Sequence, residues 1–234
     1  MTPLEIGNDA WVCWADPGTL AGQESNALAL LSAEERSRLD ATIPTVARAR
    51  LLWGRMLLRD LVGRVAGLDA SAVDLEAQCV DCGGPHGRPA VVGGNARART
   101  LTLSVSACAG MVVVGAAAGR QIGVDVEPRA GTDGRLDAVW QLTGHSEDPL
   151  RHWTRVEAVL KADGRGLRVD PSRVSFGQDT ASLDGRSYRL VDVPFEPAFV
   201  LSAALGVPSP KMHPEHPKTN PEPETHPQKQ GAPR

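Results

Sequence analysis

The chain has 234 residues, 41% of them hydrophobic, and a formal net charge of -3. This size fits one large soluble domain or two small ones, and the charge provides no overall basic field for nucleic acid or an anionic membrane. The N-terminus lacks a signal-peptide pattern, no apolar run approaches the roughly 18 residues of a membrane span, and the four cysteines are scattered. We therefore expect a cytoplasmic protein that binds neither nucleic acid nor membranes.

The first half of the chain predicts one strand and two helices. Residues 10–15 read as a strand. A short helix begins after Ser32, with Glu35 three positions further on, which is the capping-box spacing. Residues 45–68 repeat apolar side chains at spacings of three and four, and Gly67 is well placed to end this longer helix.

Three more strands are predicted in the middle of the chain. Residues 99–107 alternate polar and apolar side chains, and residues 111–117 form a continuous apolar run. Residues 117–121 supply a turn into a third strand, residues 122–128, so we expect a hairpin between the last two.

The second half predicts a helix over 147–164, ended by Gly164 or Gly166, and strands over 186–194 and 198–205. Helices and strands are mixed without strict βαβ alternation, which indicates the α+β class.

The domain organisation predicted from this order is two similar, pseudo-symmetric α/β subdomains. Each half offers strands and one long helix, so we place the subdomains at 1–110 and 111–206, with the active site in the cleft between them. Residues 207–234 hold eight of the 18 prolines and no periodic apolar residues, which is typical of a disordered tail.

A pair of acids interrupts the apolar run "IGVDVEP". Asp125 and Glu127 lie two positions apart, so on a strand they share one face with Gly123, about 6.5 to 7 Å from each other. Two unpaired carboxylates this close repel each other unless a cation compensates. A third acid, Glu157, lies on the predicted helix four residues before Lys161, a spacing that an ordinary helix ion pair also explains.

Taken together, "GVDVE" and "WTRVEAVLKADGRGL" resemble the signature pair of the phosphopantetheinyl transferases, in particular the two-subdomain type that activates peptide and polyketide synthetases. The resemblance implies that Asp125, Glu127 and Glu157 hold Mg²⁺, or Mn²⁺ in its place, and that Glu157 and Lys161 are catalytic. Three acids from a strand and a helix suit Mg²⁺, a hard ion that prefers carboxylate, water and phosphate oxygens. The matching positions are Gly123, Asp125, Glu127, Trp153, Glu157, Ala158, Lys161, Gly164 and Gly166.

The donor of this family is coenzyme A, whose 3'-phosphate and pyrophosphate demand several cations. "RARLLWGRMLLR" is similar to the family's helix with a 3'-phosphate contact, "GRP" to its adenine loop, and "LSVSA" to its Ser-His-Ser turn. The residues that the resemblance assigns to coenzyme A are Arg50, Gly87, Arg88, Pro89, Ser106 and Lys161.

Two positions depart from the family pattern. Ala107 stands where the family has a histidine, and Val156 where it has a lysine. Each change removes a cationic or donor group, so activity is reduced or another cation substitutes. Arg155 is adjacent to Val156 but points about 100° away around a helix.

The resemblance implies a monomeric enzyme that transfers the 4'-phosphopantetheine arm of coenzyme A to a serine of an apo acyl, aryl or peptidyl carrier protein and releases adenosine 3',5'-bisphosphate. Either Glu157 or a water accepts the serine proton, and Arg36, Arg38 or Arg48 could dock an acidic carrier. The alternatives are a non-catalytic relative that binds coenzyme A or carrier protein, and a Mg²⁺-dependent phosphohydrolase.

One further motif has the spacing of metal ligands. Cys79, Cys82 and His86 lie three and four residues apart, but structural zinc needs four ligands and Cys108 is the only cysteine that follows. From the sequence, whether this group binds a metal stays open.

Overall fold

The computed structural model describes residues 2–7, 9–42, 45–130 and 148–207. Within these ranges the chain is α+β, as predicted, with two antiparallel sheets and five α-helices. The proline-rich tail predicted over 207–234 lies outside the described residues from 208 onward. In the described part of the chain, every helix is too short or too polar to span a bilayer.

The first sheet has six strands in the order β1-β2-β6-β5-β4-β3. The long helix α3, Thr45–Ala66, packs against its central strands. The smaller helices of this half are α1 Glu24–Leu30, α2 Ala33–Ala41 and α4 Ala96–Arg99. The strands are β1 Leu4–Gly7, β2 Ala10–Ala15, β3 Leu75–Glu76, β4 Ala90–Val91, β5 Leu101–Cys108 and β6 Met111–Ala118.

The second sheet has five strands in the order β7-β11-β10-β9-β8. Helix α5, Pro149–Asp163, packs against β7 and β11. The strands are β7 Ile122–Pro128, β8 Ser175–Phe176, β9 Thr180–Leu183, β10 Arg186–Asp192 and β11 Phe199–Gly206.

The helix ends follow the predicted local chemistry. Ser32 caps α2, because its hydroxyl accepts from the Glu35 amide at 3.1 Å while the Glu35 carboxylate accepts from the Ser32 amide at 3.0 Å. Gly67 follows α3 with φ +70°, and Gly164 follows α5 with φ +90°. Both glycines adopt the left-handed conformation that side chains disfavour.

The predicted hairpin between β6 and β7 is wrong. Strand β6 pairs with β2 and β5 in the first sheet, whereas β7 pairs with β11 in the second. Residues 119–121 therefore carry the chain from one sheet to the other. By its pairing, β6 belongs with the strands that precede residue 110, and the similarity of the two halves stays a prediction.

Strand β7 is covered on both faces. Ile122 and Val124 join Val12 and Val113 in a core cluster between the two sheets. The opposite face meets α5, and a Cβ added to Gly123 would overlap the backbone of Ala158 and Ala162. The absence of a side chain at this glycine is what lets the helix lie directly on the strand, beside Asp125.

Candidate active site

Asp125 is the centre of the polar cluster between β7 and α5. It is only 4% exposed. Its Oδ1 accepts from Lys161 Nζ at 2.5 Å and from Ser106 Oγ at 2.8 Å. Its Oδ2 is buried and has no hydrogen-bond partner among the described residues. Asp125 is therefore held in place through one carboxylate oxygen, while the other is desolvated without compensation.

Two serines of β5 connect the first sheet to this cluster. Ser104 and Ser106 lie on one face of the strand, and their hydroxyls accept from the backbone amides of Val124 at 3.0 Å and Val126 at 3.4 Å. Lys161 Nζ also donates to Ser106 Oγ, at 3.0 Å. Ser106, predicted as a phosphate contact, thus bridges the strand β7 backbone, Asp125 and the lysine.

Glu157 lies one turn before Lys161 on α5 and is half-buried. Burial raises the pKa of its carboxyl above the ordinary value; Lys161 opposes this change, and the negative charges of Asp125 and Glu127 reinforce it. The three predicted metal ligands are therefore close enough to interact electrostatically. A group of neighbouring carboxylates of this kind favours a cation.

A cavity of about 360 Å³ opens next to the cluster. Its volume lies within the range of small-molecule sites, roughly 300 to 1,000 Å³. Apolar side chains such as Leu51, Leu58 and Leu160 form part of its wall. The basic side chains in the wall are Arg38, Arg50, Arg55, His86, Arg88 and Lys161.

Arg50 reaches this cavity from α3. Its side chain is exposed and lines the cavity, and its Nη2 donates to Val105 O at 3.4 Å. The surrounding protein lowers the pKa of the guanidinium, and the charges of Asp125 and Glu157 counteract this while Arg38 adds to it. Arg50 is therefore a cation between the acids and the cavity.

Arg88 joins the two sheets and α5. It donates to Leu103 O at 2.8 Å, Ile122 O at 2.6 Å, Gln121 Oε1 at 2.8 Å and Ala162 O at 3.4 Å. Although the side chain lines the cavity, its guanidinium is already engaged by these acceptors. A phosphate contact, as predicted from the sequence, would have to share this group with them.

Gly87 and Pro89, the neighbours of Arg88, also line the cavity. The Gly87 amide donates to Ala77 O at 2.6 Å, and a Cβ at this position would overlap the carbonyl of Gln78. This loop therefore runs too close to its neighbouring segment for any residue but glycine.

No protein-family model matches this chain. A comparison with curated proteins gives no match either. The function must therefore be inferred from the residues of the site.

The two departures from the resembled pattern have structural explanations. Val156 is 1% exposed and packs in the core between α5 and the second sheet. Arg155 does not replace a lysine there, because its Nη2 pairs with Asp192 Oδ2 at 2.6 Å. Ala107 packs against the core of the first sheet, and its methyl group cannot donate to a phosphate.

Three basic side chains considered for carrier docking have different surroundings. Arg36 donates to the carbonyls of Leu28 and Ala29, and Arg48 donates to Leu39 O. These two arginines therefore stabilise the ends of neighbouring helices. Arg38 instead lines the cavity.

Sequence reasoning gave two polar residues of the site other roles and missed others. His86 and Arg38 line the cavity, whereas the sequence suggested a metal cluster for His86 and carrier docking for Arg38. Ser104 could have been found, because it lies two positions before Ser106 and so shares its strand face. Two buried ion pairs of Glu35 were also missed. Arg59 Nη2 lies 2.8 Å from Glu35 Oε2, and Arg55 Nε lies 2.9 Å from Glu35 Oε1, although the second contact does not have the geometry of a hydrogen bond.

Proposed function

We propose that the protein is a Mg²⁺-dependent 4'-phosphopantetheinyl transferase, which moves the arm of coenzyme A onto a serine of an apo carrier protein. The observation that carries this proposal is the buried Oδ2 of Asp125, which has no hydrogen-bond partner within the described ranges, with Lys161 bonded to the other oxygen and Glu157 close enough to interact. The resemblance of the two sequence signatures gives the reaction class.

The donor set fits a divalent metal ion. Three carboxylates lie near one another, and Asp125 Oδ2 is buried without a hydrogen-bond partner in the part of the chain that the structure describes. Asp125, Glu127 and Glu157 would hold the ion, since hard cations prefer carboxylate oxygens. When bound, Mg²⁺ neutralises charge on phosphate oxygens and orients them.

The cavity fits a ligand with both phosphates and apolar parts. Its wall combines leucine side chains with arginines, and Arg50 and Arg38 are cations whose charges influence each other. Two neighbouring positive charges favour a polyanion over a neutral ligand. Coenzyme A carries three phosphate groups, an adenine and a long uncharged arm, so it matches this wall.

The residues of the chain can serve the transfer as follows. The serine Oγ of the carrier forms a bond to the β-phosphorus of coenzyme A, and the bond from that phosphorus to the bridging oxygen breaks, which releases adenosine 3',5'-bisphosphate. Either Glu157 or a water accepts the serine proton. Lys161 donates to the bridging oxygen as negative charge develops on it.

A second function is favoured by the buried Val156. Because this position belongs to the core, the cation that the family pattern provides there is missing. A relative that binds coenzyme A without transferring its arm is therefore the alternative. Calorimetry measures binding of coenzyme A in the presence of Mg²⁺, and a transfer assay measures turnover. Binding without turnover identifies this alternative.

The deciding experiment incubates the protein with coenzyme A, Mg²⁺ and a panel of apo carrier proteins, and measures the mass of each carrier. We expect the mass of the arm to be added to at least one carrier. Glu157→Gln should abolish this addition, and Glu196→Gln, an exposed control, should leave it unchanged. Binding of coenzyme A without transfer to any carrier favours the alternative, and absence of both binding and transfer overturns both proposals.

A further inference from the structure

A cluster of two cysteines and a histidine lies outside the acidic site, on the loop between β3 and β4. Candidate ligand atoms of Cys79, Cys82 and His86 all lie within 4.8 Å of one another. Cys82 Sγ and His86 Nε2 are 3.0 Å apart. Cys82 and His86 are exposed and Cys79 is half-buried, so an ion can reach the cluster from solvent.

Backbone hydrogen bonds of the loop bring these side chains together. The Cys79 amide donates to Gly84 O at 2.8 Å, and the Gly83 amide donates to Cys79 O at 2.9 Å. The His86 amide donates to Gly84 O, also at 2.9 Å. A Cβ at Gly84 would lie 3.2 Å from the His86 ring and 3.3 Å from Cys82 Sγ, so glycine leaves room between the two donors.

Both ends of this loop are attached to other parts of the fold. Arg168 Nη1 lies 2.5 Å from Asp81 Oδ2, which connects the loop to the segment after α5. Arg38 Nη1, from α2, donates to Pro85 O at 2.5 Å. The ligand positions are therefore supported by side chains from two other segments.

We propose that Cys79, Cys82 and His86 bind one Zn²⁺ ion, with a fourth position open to solvent. Two thiolates and an imidazole suit a borderline-soft ion and do not suit Mg²⁺, which prefers oxygen ligands. This site is thus chemically distinct from the carboxylates of Asp125 and Glu127. It also stands or falls independently of the proposed transferase.

The observed separations fit tetrahedral coordination after a small adjustment. Zn–S and Zn–N bonds of about 2.3 and 2.0 Å at a tetrahedral angle put sulfur and nitrogen roughly 3.5 Å apart. The Cys82 and His86 donors, now 3.0 Å apart, would separate by roughly 0.5 Å. Both side chains are exposed, so little packing opposes this movement.

A metal here would fix one wall of the cavity. His86 lines the cavity, and Gly87 and Arg88 follow it directly in the chain. Zinc binding would therefore fix the start of the segment that contains Arg88, the residue that bonds to both sheets. The ion would order the loop without contacting the acids, and water would complete its coordination at the open fourth position.

The test uses the full chain, stripped of metal by a chelator under reducing conditions. Titration with Zn²⁺ should reach one ion per chain, and titration with Co²⁺ should give the thiolate charge-transfer band and the intense visible bands of a tetrahedral site. Zn²⁺ should also raise the melting temperature of the stripped protein.

Two exposed substitutions keep the test independent of folding defects. Cys82→Ser and His86→Ala should each weaken Zn²⁺ binding by more than the roughly 10- to 100-fold that loss of an outer partner costs. Cys108→Ser, which changes a cysteine outside the cluster, should bind Zn²⁺ like the unmodified protein. Equal binding by all four proteins, or failure of the fully reduced protein to take up Zn²⁺, would overturn the proposal.

Discussion

The close contact of α5 with β7 makes Gly123→Ala the most informative substitution. A Cβ at this position would overlap the carbonyl oxygen of Ala158 and the amide nitrogen of Ala162, well inside the 3.4 Å at which ordinary contact begins. Both overlapping groups are helix backbone, so rotation of a side chain cannot relieve the clash. The helix must move away from the strand by roughly 1 Å or more, which loosens packing along its buried face.

The expected cost follows from this geometry. Added atoms in a filled core typically cost about 1 to 3 kcal/mol, and the rigid neighbours here put Gly123→Ala at the upper end, about 3 kcal/mol. With a slope of about 3 kcal/mol per molar urea for a chain of this size, the unfolding midpoint should fall by about 1 M. Urea titrations followed by circular dichroism and tryptophan fluorescence measure this change.

Gly119→Ala is the matched control. Gly119 has φ +66° and no atom within 4 Å of an added Cβ, so alanine there meets backbone strain but no clash. We expect a loss of about 1 to 2 kcal/mol from the left-handed conformation alone. If Gly123→Ala costs no more than Gly119→Ala, the helix does not lie on the strand as described.

Three further substitutions test the charged groups. Glu157→Gln should raise the free energy of unfolding at neutral pH without Mg²⁺ or coenzyme A, because burial disfavours the ionised carboxylate. This gain should vanish as the pH falls below the ordinary glutamate pKa of about 4.3, where the carboxyl is neutral in both the folded and the unfolded state. A gain that persists unchanged at low pH in urea titrations would contradict this. Glu35→Gln should cost about 3 to 5 kcal/mol, since it leaves two buried arginines without their anion, whereas the exposed Glu34→Gln should have little effect in the same denaturation assay. Arg88→Lys should lower the free energy of unfolding by about 2 to 3 kcal/mol in thermal and urea unfolding, because lysine cannot make the forked bonds to several acceptors. The exposed Arg99→Lys is the control, and an equal loss in both variants would argue against this role of Arg88.

Features set by neighbouring residues were predictable from the sequence. The capping box of Ser32 and Glu35 and the end of α5 at Gly164 each depend on contacts within one or two helical turns. Such contacts are encoded in residue types a few positions apart. The bounds of the long helix α3 follow for the same reason.

The partner of β7 was not predictable in this way. The turn at 119–121 suits a hairpin as well as a passage between sheets, because local turn signals do not say which strand lies alongside. Pairing with β11 is set by contacts about 80 residues apart in the chain, such as Ser202 opposite Asp125. The Gly206 amide donates to Gln121 O at 2.8 Å. The contacts of the second sheet therefore already begin at the turn.

The acidic site was predictable in part. Alternation placed Asp125 on one strand face with Gly123, but its contact with Lys161, 36 residues later, follows from the packing of α5. The bonds of Arg88 leave no trace in the sequence, since most of its acceptors are backbone carbonyls that every residue carries. Only the fold determines which carbonyls converge on this guanidinium.

The bonds from the β7 amides to the two serine hydroxyls of β5 have a consequence for self-association. Strand β7 is the outermost strand of its sheet, a position where free amides invite another chain to add a strand. Ser104 and Ser106 already occupy the amides of Val124 and Val126, so this border is closed to a second molecule. Replacing Ser106 to test its part in the chemistry would therefore also free a backbone amide at the sheet edge. Loss of activity in such a variant would have to be separated from loss through aggregation.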